Sequence, residues 1–478
     1  MKPLLLLARL VVSLLVLAFV HTASAAPAKP NVLFILADDL GRQDCGFMGG
    51  TEIKTPHIDK LAKTGAVLDA FYVQPVCSPT RAALMTGRYP MRHGLQVGVV
   101  RPWAQYGLPL DERTLPQALK EAGYETSICG KWHLGHFAPE YLPTRRGFDH
   151  QYGHYNGALD YFQHTRDGGF DWHRDDKVNR DEGYTTTLLG REAARRIRER
   201  EKSKPFFIYV PFNAVHAPHQ VPEKYLAPYG DLKGDRRLYA GMLAAMDESV
   251  GEIIAALDAE GLRKDTLIIF SSDNGGPAPG KITDNGPYRA GKGTLYEGGT
   301  RVAAFVAWEG RIKAGSTIKE PLHMVDWFPT LLKLAGASLD QSHAPDGRDI
   351  WPTLADGKPS PHDAILLNTT PNNGAIRMGD WKLVLNGGVA DTGGEQAETP
   401  AEKKGKAAKK AAVADRPLEL FNLATDPYEK KNLAAAEPDK VKELRARLDA
   451  FAKQAVAPKA APKAADYKSP KVWGEKDN

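Results

Sequence analysis

Short apolar runs alternate along most of the chain with longer segments whose apolar residues recur at helical spacing. That is the texture of an α/β protein built on a mostly parallel sheet. Asn31–Ala37 (NVLFILA) is apolar at almost every position, as a strand buried on both faces must be. Glu125–Cys129, Pro205–Val210 and Thr266–Ser271 have the same character, and helices are expected at 55–64, 79–86, 114–122, 185–201, 235–260 and 325–336. After Trp351 the pattern changes. Ala364–Thr370, Ala375–Leu385 and Leu418–Leu423 read as antiparallel strands, and 437–453 as a closing amphipathic helix. The expected organisation is a large domain over 26–355 and a smaller one over 356–455, interrupted by a flexible insertion at 387–416. The segment 456–478, with its repeated Pro-Lys-Ala, is expected to be a disordered tail.

The first 25 residues read as a signal peptide. Lys2 and Arg9 lie at or near the start of an apolar run, Leu10–Val20, and Ala23-Ser24-Ala25 supplies an A-x-A cleavage site. The run is short of the ~20 residues that span a bilayer, so a secreted or periplasmic protein without stable membrane insertion is expected. Composition adds little beyond globularity, with 42% hydrophobic and 25% charged residues in 478. The net charge of +5 is concentrated in the leader, the 387–416 stretch and the lysine-rich end, leaving the body slightly negative. A nucleic-acid partner is therefore not expected. Three cysteines, Cys45, Cys77 and Cys129, are too few for a disulfide framework.

Candidate chemistry lies just beyond the expected strands. Asp38 and Asp39 follow the first, Lys131 and His133 the second, His216 the third, and Asp273 and Asn274 the fourth. If the four strands are parallel, their carboxyl ends deliver all these groups to one crevice. Asp38, Asp39, Asp273 and Asn274 are oxygen donors, suited to a hard cation such as Ca²⁺ or Mg²⁺. Each pair taken alone is equally what a helix cap or a turn requires. In Cys77-Ser78-Pro79-Thr80-Arg81, Ser78 is expected to cap a helix that Gly87 ends. Cys77 then lies ahead of a helix N-terminus, with Arg81 in its first turn, an anion-binding arrangement. It can be a thiolate, a modified residue, or a small buried hydrophobe.

The run Cys77–Arg81 followed by Ala82-Ala83-Leu84-Met85-Thr86-Gly87-Arg88 resembles the signature of the type I sulfatases. Gly130-Lys131-Trp132-His133-Leu134-Gly135 resembles that family's second signature. Asp38-Asp39, Ser272–Gly276 and Lys292 within GKGTLYEGGTR match as well, in the family's order. Within the family, Val215–Pro222, Tyr239–Met242, Met246-Asp247 and GDWKLVL at 379–385 resemble arylsulfatase B, the N-acetylgalactosamine-4-sulfatase. The cysteine pattern departs from the disulfide-bonded animal enzyme and points to a bacterial relative.

The resemblance implies an alkaline-phosphatase-like sulfatase fold, with a large mixed, mostly parallel sheet between helices and a smaller C-terminal antiparallel sheet with a helix. It implies that a formylglycine-generating or sulfatase-maturating enzyme oxidises Cys77 to formylglycine, whose hydrate attacks the sulfur of a sulfate monoester. Asp38, Asp39, Asp273 and Asn274, with residue 77, would hold one Ca²⁺. Arg81 would hold the hydrate, Lys131 and Lys292 the sulfate oxygens, His133 would assist release of sulfate, and His216 would serve the leaving alcohol as general acid. The implied substrate is a sulfated carbohydrate, attacked at chain ends, either N-acetylgalactosamine 4-sulfate or a related glycan. The alternatives are a phosphonate or phosphodiester hydrolase of the same superfamily, an unactivated glycan-binding homologue, and a cysteine-thiol hydrolase.

Overall fold

The computed structural model describes residues 29–370, 373–387, 418–460 and 462–475. The expected signal peptide, and all of the expected 387–416 insertion except Gly387, lie outside these residues.

Ten strands form the main sheet: β1 Asn31–Ala37, β2 Ala66–Leu68, β3 Glu125–Lys131, β4 His150–His154, β5 His173–Arg174, β6 Lys177–Val178, β7 Phe206–Pro211, β8 Thr266–Ser272, β9 Ala304–Ala307 and β10 Ser316–Ile318. Their order is β10-β2-β9-β8-β1-β7-β3-β4-β5-β6. The four strands singled out by their apolar runs, β8-β1-β7-β3, are neighbours and mutually parallel. Their carboxyl ends therefore share one edge, which is the condition the crevice requires. The sheet turns antiparallel outside this block, at β9 on one side and β5 on the other.

Both faces of the sheet are covered, which is why β1 has no polar alternation. Leu33 and Ile35 pack with α1 (Pro56–Lys63), α4 (Thr185–Glu199) and α5 (Gly234–Ala259), through residues such as Ile58, Leu189 and Met246. Val32, Phe34 and Leu36 pack with α2 (Cys77–Thr86), α3 (Leu115–Glu121) and α6 (Trp327–Leu334), through Leu84, Leu119 and Trp327.

A second, four-stranded antiparallel sheet follows: β11 Ile365–Thr370, β12 Asn373–Met378, β13 Trp381–Leu385 and β14 Glu419–Asn422. The single strand expected over Ala375–Leu385 is a hairpin, because Gly379 takes φ 55° and turns the chain. One face packs under α7 (Pro438–Ala452) through Leu444 and Leu448. The other covers Leu295 and Tyr296 of the 291–301 loop. The two sheets are joined by a buried ionic cluster in which Lys382 Nζ lies 2.8 Å from Glu297 and 2.9 Å from Glu429.

The expectation of a disordered tail is corrected over 456–460 and 462–475. Val456 N donates to Met91 O at 2.9 Å, Lys459 N to Gly94 O at 2.7 Å, and Trp473 N to Phe170 O at 2.9 Å. Trp473 is 2% exposed. Composition misled because one buried tryptophan and a few backbone bonds anchor an otherwise polar segment.

Lys382→Ala leaves Glu297 and Glu429 facing each other in the interior, and chemical denaturation should show a loss of about 3–5 kcal/mol. Asp247, on α5, accepts from His57 N and Ile58 N at the start of α1. Burial nonetheless pushes its carboxyl up to about 6 from 3.8. A raised folded value contributes stability below the unfolded value, and that contribution is lost as the pH rises through 6, about 3 kcal/mol in all. Urea midpoints of Asp247→Asn should fall less than wild type's between pH 4 and 7.

Candidate functional site

Most candidate groups are placed by the end of an element, while His216 and Lys292 come from loops. Asp38 and Asp39 leave β1, with Asp39 in the left-handed region at φ 64°. Asp273 and Asn274 leave β8, and Asp273 N donates to Ala37 O at 3.1 Å, so the two acidic turns lie side by side. Ser272 ties them together: its Oγ accepts from Leu40 N at 3.2 Å and donates to Asn274 O at 2.7 Å. Lys131 is the last residue of β3 and is fully buried. The preceding Gly130 has φ 144°, and a Cβ there would sit 2.0 Å from Pro211 O, so only glycine lets β3 pass β7 at this point.

Cys77 is the first residue of α2, and Gly87 ends the helix in the left-handed conformation. Ser78 does not cap it, contrary to expectation. Val76 occupies that position, and Ser78 Oγ instead donates to His133 O at 2.9 Å and accepts from Val100 N at 3.0 Å. This hydroxyl, missed by sequence reasoning, links the cysteine helix to the histidine loop.

The structure brings the candidate set together. Lys131 Nζ lies 2.5 Å from Asp38, Lys292 Nζ 2.8 Å from Asp39, and Arg81 makes a forked contact to Asp273 at 2.8 and 3.1 Å. Cys77 Sγ is 3.6 Å from Asp38 Oδ1, and His216 Nε2 is 3.6 Å from Asp39 Oδ2. Asn274 Nδ2 donates to Asp39 Oδ1 at 2.7 Å. Three buried carboxylates thus face three cations. His133 stands slightly apart, bonded to Val100 O at 3.0 Å.

The electrostatics follow from this burial. Burial and the like charge of Asp38 raise the Asp273 carboxyl, against Arg81. Burial works against the Lys131 ammonium, but Asp38 and Cys77 outweigh it and the value is raised. Burial and Asp38 push the Cys77 thiol well up, the opposite of an activated thiolate. Burial, Lys131 and Arg81 hold the His133 imidazole well below its ordinary value, so it is neutral. A carbonyl only accepts, so His133 Nε2 carries the proton and the buried Nδ1, which has no hydrogen-bond partner, presents a lone pair. By the same reasoning His216 donates from Nδ1 to Ala217 O at 2.6 Å and turns Nε2 to the site.

The donor set fits a hard divalent cation. Ligand atoms of Asp38, Asp39, Cys77 and His216 lie within 4.8 Å of one another, and Asn274 Oδ1 is buried with no hydrogen-bond partner. Asp273 and Asn274 complete a mainly oxygen cradle. A divalent cation bound there should stabilise the fold against thermal unfolding, by about 2.7 kcal/mol at a concentration 100-fold above its Kd. Asp39→Asn should abolish most of that stabilisation.

A family model described as Sulfatase matches residues 30–337. Arylsulfatase J of Mus musculus is 38% identical over 474 residues, covering 93% of this chain and 79% of its own. N-acetylgalactosamine-6-sulfatase of Mus musculus is 35% identical over 360 residues, 70% of this chain and 68% of its own. Among solved structures, Ps i-CgsB in complex with k-i-k-neocarrahexaose superposes with a TM-score of 0.79 at 32% identity, covering 90% of this chain and 94% of that one.

Proposed function

The chain belongs to the sulfatase family and is a sulfuric ester hydrolase, and from that premise we propose that it releases sulfate from a carbohydrate sulfate monoester with Cys77 converted to formylglycine and one Ca²⁺ bound. The observation that carries this reading is the placement of Cys77 Sγ against Asp38, inside a ring of three cations and three carboxylates. When present, hydrated formylglycine supplies an oxygen nucleophile and calcium a Lewis acid. Asp38, Asp39, Asp273 and Asn274 are the residues that would hold the ion.

The remaining work falls to the chain's own side chains. Lys131 and Lys292, paired with Asp38 and Asp39 beside residue 77, would bind sulfate oxygens and offset the charge that builds on them. Arg81 orients residue 77 from one turn along α2, with its own guanidinium fixed by Asp273 and by Lys131 O at 3.1 Å. His133 Nδ1 can accept a proton from residue 77, and His216 Nε2 can carry one to the leaving alcohol. A maturation enzyme that oxidises cysteine is the implied partner, and the leader over 1–25 implies work outside the cytoplasm.

The preferred substrate is N-acetylgalactosamine 4-sulfate at a chain end, on the likeness to arylsulfatase B. A second reading, a sulfated saccharide of the neocarrahexaose kind, is favoured by the similarity to Ps i-CgsB over nine tenths of the chain.

The test is free sulfate released from a 4-sulfated chondroitin disaccharide, a 6-sulfated control and k-i-k-neocarrahexaose, with Cys77 oxidation confirmed by mass spectrometry. The oxidised protein should release sulfate and Cys77→Ala should not. Lys131→Ala should lower kcat by about 10²–10³-fold. Release from the 4-sulfate alone supports the first substrate, and release from neocarrahexaose alone the second. No release from any of the three by confirmed aldehyde protein would overturn the proposed glycan specificity.

A further inference from the structure

The groups around the catalytic crevice include a set that the reaction itself does not use. Val99 packs on Cys77, and Val100 bonds both Ser78 and His133. The next residues carry Arg101 and Trp103 outward, the guanidinium 5.6 Å from the indole ring. The C-terminal tail meets them there. Lys463 Nζ stands 5.5 Å over the Trp103 ring and 5.3 Å over Tyr467, and the two rings meet edge to face at 6.4 Å.

The tail is fixed on both sides of this group. Val456 and Lys459 hold it to residues 91–94. Beyond Tyr467, Lys471 O accepts from Phe170 N, and Trp473 Nε1 donates to Arg166 O at 2.9 Å. Trp473 also meets His136 edge to face at 5.2 Å, and His136 is bonded to Pro102 O at 3.1 Å. A cleft of about 190 Å³ is lined by Asp160, Arg166, Asp167, Ala217 and Pro218, the last two following His216 in the chain. Asp160 is held by Gln220, which donates to it at 2.7 Å. Contacts thus link the tail to the 99–103 loop, whose Val99 packs on Cys77, and to the 159–167 loop, which shares a cleft with Ala217 and Pro218, and together these segments make one wall.

We propose that this wall is a subsite for the second and later sugars of a sulfated oligosaccharide, with Arg101 and Lys463, held over the Trp103 and Tyr467 rings, as sulfate ligands. The inference rests on the reading of the protein as a glycan sulfatase and names the part that selects chain length. The chemistry is specific in two ways. The aromatic rings hold the two cations in place by cation–π contact, so less side-chain freedom is lost when they take a sulfate. Two cations fixed in this way offer charge-assisted contacts to an anionic sulfate. The described tail adds charge of the right sign, carrying Lys459, Lys463, Lys468 and Lys471 against Asp466 and Glu475. Lys463 is exposed, while Trp103 and Tyr467 are half-buried, so a ligand can reach this group.

The test is direct binding to the full-length Cys77→Ala protein, which does not turn substrate over. Calorimetric titration compares k-i-k-neocarrahexaose with its disaccharide, and a chondroitin 4-sulfate hexasaccharide with its disaccharide. At least one hexasaccharide should bind about 10-fold or more tighter than its disaccharide. Arg101→Ala/Lys463→Ala/Tyr467→Ala, in the same background, should reduce that advantage to about twofold or less. Lys463→Glu alone, at an exposed position, should reduce it in the same direction if the triple variant does not fold. The two sugars separate a galactan from a glycosaminoglycan as the source. Equal affinity for both lengths of both sugars, or a length advantage that survives the substitutions, overturns the proposal. Failure of the sulfatase reading would instead appear as absent sulfate release by oxidised wild-type protein, whatever the binding shows.

Discussion

Three carboxylates without solvent, those of Asp38, Asp39 and Asp273, are the constraint on which the rest of the structure turns. Burying one uncompensated carboxylate costs several kcal/mol, and three together are tolerable only if each has its own cation. The cations come from three different places: Arg81 from α2, Lys131 from the end of β3, and Lys292 from the 291–301 loop. The fold must therefore close the sheet, the cysteine helix and that loop around one point. The C-terminal sheet serves the same end, since it covers Leu295 and Tyr296, and Glu297 N donates to Glu429 at 2.7 Å just beyond Lys292.

The parallel block supplies the geometry. Ala37 pairs with Ser272 and Leu36 with Pro211, so Asp38 emerges beside Asp273 on one flank and beside the chain leading to His216 on the other. A one-residue slip between β1 and β8 would turn one acidic side chain away from the crevice. The apolar packing on both faces of β1 forbids that slip, so the same residues that build the core fix the distance between the carboxylates.

This explains which parts of the molecule were legible in the sequence. Strands buried on both faces leave continuous apolar runs, and polar residues immediately after such runs mark the crevice, so the four strands and their terminal groups were readable together. What depended on a single contact was not. Ser78 looked like a cap because serine before proline usually is one, yet its hydroxyl is taken by His133 and Val100. Lys382 looked like an ordinary strand residue, although it lies between two glutamates from distant segments. The tail read as disorder because its composition is polar and Pro-rich, while its order comes from Trp473 and a handful of backbone bonds.

The charge count ties the site to its chemistry. Arg81, Lys131 and Lys292 balance the three carboxylates, so the crevice as built from the chain alone carries no net pull on an anion. A divalent cation in the oxygen cradle would leave it with two positive charges, matched to a sulfate monoester and then to the sulfate dianion. The protein residues alone hold the pieces in place, and the ion would set the sign of the field that the substrate meets. Asn274 suits this arrangement better than a fourth aspartate, because its buried, unpartnered amide oxygen would be a ligand that adds no charge. A fourth carboxylate would lower the balance by one and weaken attraction for the anion the enzyme must bind.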